Sequence, residues 1–430
     1  MNTGTIAFHN FGCKVNFTET SSLSRQFKEK GWTLLNFHEK ADVYVISSCV
    51  VTRIAEKKCR SAIRHAHKLN PGAKIAVIGC FPELKPGELE AMDGVQLVLG
   101  HSDKFRLFQE LEKLGAKDYQ KDVVIIEKLK NDYFIPSFSY GDRTRSFLKI
   151  QDGCDYFCSY CIIPLARGMS RSDTIAHVLD TVEIIAKSGV KEIVLTGVNI
   201  GDFGKHNGET LQNLLQKLDN LNAIPRIRIS SIEPDLLTDE IVDLVANSKI
   251  FLPHFHIPLQ SGSNKILKAM HRRYEREIYQ GRVEKIRSRL PFACIAADVI
   301  VGFPGETQTD FLDTYLFLET LPISYMHVFT YSKRENTLAS KNPNQVPDTT
   351  IKERSNLLHY LSKEKKSSFY QQNLGRSAHV LWESNDVTGL IHGYTENYIK
   401  TKTLLKPEWI NQIMEIRLDQ LDDDGSYLIK

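Results

Sequence analysis

Three cysteines crowd one short stretch, Cys154-Asp-Tyr-Phe-Cys158-Ser-Tyr-Cys161, with the spacing C-x3-C-x2-C. Three thiolates this close, with no fourth nearby, suit a [4Fe–4S] cluster that keeps one iron without a protein ligand. Such an iron can bind a small molecule and do chemistry on it. A zinc knuckle is the alternative reading, but a structural zinc site wants four ligands and a closed shell.

Three further cysteines share a different setting. Thr5-Ile-Ala-Phe leads to Cys13, Asp42-Val-Tyr-Val-Ile-Ser-Ser leads to Cys49, and Lys74-Ile-Ala-Val-Ile-Gly leads to Cys80. Each lies just past an apolar, β-branched run and ahead of a helical pattern. Strands alternating with helices predict a parallel sheet, and ligands bind at the carboxyl edge of such sheets. Three strand ends can bring these thiols to one point and make a second cluster site; the alternative is three buried cysteines acting as small apolar residues. Cys59 sits inside a helical pattern and Cys294 inside a strand-like run. Both read as packing residues.

The elements that position the first motif follow it along the chain. Six strand-like runs begin at Phe147, Glu192, Arg226, His254, Ile295 and Tyr325, with helical periodicity between them. Six strand–helix units predict a partial (β/α) barrel, whose chemistry sits at the C-terminal strand ends. Those ends carry candidate ligand contacts: Gly197, Asn199, Glu233, Gln260, Ser261 and Gly302 to Glu306. Residues 1–120 form the first expected domain, 121–140 a linker, 141–374 the barrel and 375–430 a small antiparallel β-barrel. The fold class is α/β. The last segment offers Trp382, Tyr394, Tyr398, Lys400 and Lys402, a composition that small barrels use to bind oligonucleotides. A domain that only packs on the barrel would read the same way.

Composition narrows the class. The 430 residues are too many for one ordinary core. There is no run of about eighteen apolar residues, so no membrane span is expected, and no signal peptide is read at the N-terminus. Eight cysteines then belong to a reducing, cytoplasmic setting. A net charge of +3 permits a nucleic-acid partner without arguing for one.

Taken together, these motifs resemble the methylthiotransferase family of radical S-adenosylmethionine (SAM) enzymes over essentially the whole chain. The resemblance rests on Gly12-Cys13-Lys-Val-Asn16, Ser47-Ser-Cys49-Val-Val-Thr52, Gly79-Cys80, Asp152-Gly-Cys154 through Cys161-Ile-Ile-Pro-Leu-Ala-Arg167-Gly168, Ile257-Pro-Leu-Gln-Ser-Gly-Ser263, and Asp298-Val-Ile-Val-Gly-Phe-Pro-Gly-Glu-Thr307. It implies two [4Fe–4S] clusters, one on Cys154, Cys158 and Cys161 that cleaves SAM, the other on Cys13, Cys49 and Cys80 that carries sulfur. It also implies SAM contacts from Tyr160, Gly197, Asn199, Glu233, Gln260 and Ser261, a C-terminal RNA-binding (TRAM, OB-like) domain, a tRNA substrate, an external electron donor and a sulfur source. Ile150-Gln-Asp-Gly-Cys and Gly79-Cys-Phe-Pro-Glu-Leu-Lys-Pro86 look most like the branch that acts on N6-threonylcarbamoyladenosine 37 of tRNA. Sister branches act on isopentenyladenosine 37 or on a ribosomal-protein aspartate. Arg167, Arg272, Arg273, Tyr398 and Lys400 are the expected substrate contacts. Asp155, Phe81-Pro82 and Asp173 depart from the family's usual Asn, Tyr-Ala and Arg. A rival of another class is an RNA-binding iron–sulfur protein without turnover.

Overall fold

The structure is a computed structural model that describes residues 4–116, 124–125, 133–141, 143–385, 389–422 and 425–429. Half of the expected linker 121–140, residues 121–123 and 126–132, lies outside these residues. By compactness the chain forms two units, neither continuous in sequence. The first is 1–140 with 152–155 and 161–171; the second is 141–151, 156–160 and 172–430.

In the first unit, six parallel strands lie in the order Thr33–Leu35, Thr5–Asn10, Val43–Ser48, Lys74–Gly79, Val95–Leu99, Val124–Ile125. Alternation explains why both faces are covered. Tyr44 and Ile46 face a core built with Ala62, Ile63 and Ala66 of the helix Arg53–Leu69. Val43 and Val45 face another, with Leu23 and Phe27 of the helix Lys14–Glu29 and Leu111 of the helix Leu107–Ala116. A strand buried on both sides reads as a continuous apolar run, as Val43–Ser48 does. Cys59 packs in the first of these cores, as its place in the helical pattern predicts.

In the second unit, the six expected strands form. They are Ser146–Lys149, Glu192–Thr196, Arg226–Ile229, His254–Gln260, Cys294–Val301 and Tyr325–Thr330. All pair in parallel with their neighbours, the third and fourth through the bridges Ile227↔Phe251 and Ser231↔His256. Threonines start the intervening helices. Thr174, Thr210, Thr238 and Thr307 each accept a hydrogen bond from the first turn, and Thr307 with Asp310 makes a capping box. Pro258 has no amide to give to the ladder, and the register shifts between Pro258 and Gln260. Gln260 takes φ 66°, which turns the chain at that strand's end.

The last segment is a five-stranded curled sheet, ordered Ile413–Arg417, Ser377–Asn385, Leu390–Thr395, Lys400–Leu404, Tyr427–Leu428. It is antiparallel except for its final pair. Its core is shared with the barrel: Val380, Trp382, Ile391, Ile399 and Tyr427 pack with Cys294, Phe369 and Tyr370. Arg226 and Arg228 donate to the carbonyls of His379, Tyr394 and Glu396. Among the described residues, no helix is long and apolar enough to cross a membrane.

Candidate active site

Cys13, Cys49 and Cys80 stand at the carboxyl ends of three neighbouring strands of the first sheet. Cys13 caps the helix Lys14–Glu29, Cys49 follows the strand Val43–Ser48, and Cys80 opens the short helix Cys80–Leu84. The turns need their glycines. A Cβ on Gly12 would lie 2.2 Å from Asn16, and Gly79 takes φ 103° with Ser48 O 2.9 Å from its would-be Cβ. Asn16 Nδ2 ties the edge together by donating to Ser48 O at 3.0 Å. The thiols sense one another: burial first, then Cys80 and Cys13, push Cys49 up to about 12. Burial also raises Cys80, against the pull of Arg167 and Lys104.

Beside these thiols lies a buried ionic network that no sequence pattern announces. Arg167 donates to Asp152 Oδ1 at 2.8 Å, and to Asn16 and Glu19. Lys104 is paired with Glu19 and lies 2.9 Å from His101 Nδ1, and His101 Nε2 is 3.0 Å from Asp152. Arg171 reaches Asp152 at 3.3 Å. Burial, then Lys104, drives His101 down to about 3, so it is neutral. Arg167, Lys104 and Arg171 thus face Asp152 and Glu19, with Glu83 accepting from the His101 amide at 2.8 Å. Arg167 and Lys104 favour the thiolate form of Cys80, as an anionic set of three thiolates needs, and no fourth protein thiol joins the set among the described residues. The residues present fit a cluster with one open iron. Arg167, expected as a substrate contact, is here 3% exposed and surrounded by this network.

Cys154, Cys158 and Cys161 lie on the single loop after the strand Gln151–Asp152. Gly153 lets that loop run against Met169, whose carbonyl would be 1.9 Å from a Cβ, and the Cys154 amide donates to Gly168 O. Cys158 is buried, which raises its pKa, and Arg272 Nη1 opposes this from 3.2 Å. Arg272 also pairs with Glu233. Burial chiefly holds Glu233 up at about 7, with Asp235 and Asp298 adding to it against Arg272. Arg273 is exposed, its guanidinium 4.0 Å from the Tyr156 ring centroid. Lys265, Lys268, Arg272 and Arg273, with Glu275 and Glu277, line one open pocket of about 680 Å³.

The other expected contacts are placed as follows. Tyr160 packs edge-on to Phe303. Gly197 passes so close to Gln151 and Ile200 that a Cβ would lie within 3 Å of both. The Asn199 amide donates to Gln151 Oε1 at 2.8 Å. Ser261 is fully buried and bonded to Thr314 Oγ1. Asn199 Oδ1, Ser230 Oγ and Asp235 Oδ1 are buried without a hydrogen-bond partner among the described residues. Orphaned polar atoms near the C-terminal strand ends fit a polar ligand such as SAM. Tyr398 stacks on Tyr394 at 4.8 Å, with Arg228 4.7 Å from its ring, in the seam between curled sheet and barrel. The Lys400 amide donates to Tyr370 Oη at 2.9 Å. Trp382 is fully buried, and Lys402 pairs with Asp422.

Residues 5–100 match the family described as "Uncharacterized protein family UPF0004", and residues 148–318 match the radical SAM superfamily. The threonylcarbamoyladenosine tRNA methylthiotransferase MtaB of Bacillus subtilis is 37% identical over 423 residues, covering 96% of this chain and 93% of the relative. The tRNA-2-methylthio-N(6)-dimethylallyladenosine synthase of Pseudothermotoga lettingae is 32% identical over 397 residues, 90% of each chain. In fold, the chain is similar to the radical SAM methyltransferase TsrM of Kitasatospora setae, with TM-score 0.53 at 13% identity over 79% of this chain and 74% of that one. A radical SAM fold of this kind uses SAM and a [4Fe–4S] cluster, and the long match to methylthiotransferases at both ends of the chain fixes the rest: the protein belongs to the radical SAM methylthiotransferase family of enzymes.

Proposed function

We propose that this enzyme transfers a methylthio group to C2 of N6-threonylcarbamoyladenosine 37 in tRNA, in the cytoplasm, using two [4Fe–4S] clusters and two roles of SAM. The observation that carries the two-cluster reading is the gathering of Cys13, Cys49 and Cys80 at one sheet edge beside the buried Arg167. When bound, the clusters and SAM supply radical chemistry and a methylated sulfur. The protein's part is to hold and shield. Cys154, Cys158 and Cys161 ligate the SAM-cleaving cluster, and Arg272 lies against Cys158 as a cation that offsets thiolate charge. Glu233, Asn199 and Asp235 offer polar atoms to SAM. Lys268 and Arg273 offer positive charge to tRNA phosphates. Electrons and sulfur come from outside the chain.

The threonylcarbamoyl substrate is supported by the printed activity of the Bacillus subtilis relative. The Pseudothermotoga lettingae relative favours a second reading, with isopentenyladenosine as substrate. Mass spectrometry of tRNA nucleosides from cells with and without the gene decides between them. Loss of the 2-methylthio derivative of threonylcarbamoyladenosine is expected; loss of the isopentenyl derivative moves the enzyme to the sister activity.

A further inference from the structure

Away from both cysteine sets, three polar side chains meet on the inner face of the strand arc. His256, Asp298 and His327 belong to adjacent parallel strands, and Asp298 pairs across from Pro258 on one side and His327 on the other. His256 Nε2 lies 2.8 Å from Asp298 Oδ1, and the polar atoms of all three residues lie within 4.8 Å of one another. Burial shows that the inner side is open here. Phe255, Ile257, Ala297, Val299 and Met326, which alternate with these residues, are buried, whereas His256 and Asp298 are half-buried and His327 is exposed. Branched apolar side chains ordinarily fill the inside of such an arc. Three titratable residues in one layer are a departure from that rule.

The layer has a floor and a ceiling. Toward the strand starts, His254 packs on Tyr398 and Tyr325 on His327, where the curled sheet closes the arc. Toward the strand ends, Glu233 feels the charge of Asp298 and is paired with Arg272, which touches Cys158. Glu233 and Arg272 thus link this layer to the cysteine loop.

We propose that His256, Asp298 and His327 form the subsite that reads the N6 substituent of the target adenosine, and that the subsite takes an acidic, hydrogen-bonding group. This rests on the tRNA methylthiotransferase reading above. A threonylcarbamoyl group carries a carboxylate, a hydroxyl and urea N–H groups. Imidazole N–H groups donate to the carboxylate; Asp298 accepts from the hydroxyl or urea N–H and orients His256. An isopentenyl group strips water from the same polar atoms and returns no hydrogen bond. Sites built to hydrogen-bond a substrate group reject analogues lacking it far more strongly than apolar pockets reject extra atoms.

The test uses holoenzyme and matched tRNAs bearing threonylcarbamoyl or isopentenyl groups. Wild type is expected to favour the first. His327→Phe retains the ring contact with Tyr325, and should lower kcat/KM on threonylcarbamoyl tRNA by about tenfold or more while leaving or raising the isopentenyl rate. His256→Gln should shift the ratio the same way. Binding of the modified anticodon stem–loop, measured without SAM, should weaken in parallel, and iron content and thermal midpoint report that each variant is folded. If wild type favours threonylcarbamoyl tRNA and both folded variants keep that ratio within twofold, the subsite is wrong and the substrate reading stands. If wild type favours isopentenyl tRNA, the substrate reading itself fails. Discrimination lost on EDTA treatment and restored by Zn²⁺ would assign the three residues to a metal ion and overturn direct recognition.

Discussion

The two sets of three cysteines are brought together by opposite routes. Cys154, Cys158 and Cys161 lie within one eight-residue loop, so their proximity is written into the local chain. Cys13, Cys49 and Cys80 are dozens of residues apart, and a parallel sheet brings them together. The second route needs more support. The sheet edge is held by glycine turns and by Asn16, and the thiols sit beside Arg167, Lys104 and their buried carboxylates. A local motif tolerates changes elsewhere in the fold; an assembled one depends on buried charges whose desolvation is costly unless every partner is present.

The largest expected effect breaks the comparison at its root. Replacing Cys154, Cys158 and Cys161 by Ala should abolish SAM cleavage and leave about half of some eight irons in anaerobically reconstituted protein. The same change at Cys13, Cys49 and Cys80 should leave SAM cleavage intact under a strong reductant but stop methylthio product. Full iron retention in the first variant would refute the division.

Next in size is Arg167→Met, which removes the buried cation that Asp152 and Glu19 share and leaves each with one partner, Arg171 and Lys104. Denaturant unfolding should show a loss of about 3–5 kcal/mol. Arg273→Met, at an exposed ring contact, should change stability by less than about 1 kcal/mol. Equal effects would mean that the network is not the support described here.

Gly79→Ala sharpens the contrast. At φ 103° and with Ser48 O 2.9 Å from the new methyl, it should cost about 1–3 kcal/mol and displace Cys80. Iron should fall in the Cys13, Cys49 and Cys80 set only, as read by EPR of the remaining cluster.

Acid should separate the regions too. His101 is held near 3, below its ordinary 6.5. The unfolded chain therefore takes up that proton first as pH falls. The contribution is complete above about pH 6.5 and is lost from there toward pH 3, by up to about 1.4 kcal/mol per pH unit. His101→Gln should flatten this part of the stability profile, measured by urea unfolding across that range; an unchanged slope would place the acid sensitivity elsewhere.

The smallest effects belong to the packing cysteines. Cys59→Ala and Cys294→Ala remove a small apolar group from the cores described above and should cost about 1 kcal/mol each, with iron content unchanged. Lost iron in either variant would add a ligand to one of the two sets.

By itself, the sequence determined the alternation of strands and helices, because burial on one or both faces imposes a hydrophobic period on each element. It determined the loop-borne cysteine set, because ligand spacing along eight residues survives any packing. It also showed that Cys13, Cys49 and Cys80 end three strands, but strand order decided that those strands are neighbours. The use of Arg167, the roles of Glu19, Lys104 and His101, and the sharing of one core between curled sheet and barrel were decided only by tertiary structure. So was the meeting of His256, Asp298 and His327, a His-x-His strand and two other strands whose polar residues carry no common motif. Charged and polar partners are chosen by proximity across the fold, at separations such as 148 residues between Glu19 and Arg167, and no local period encodes a contact of that range.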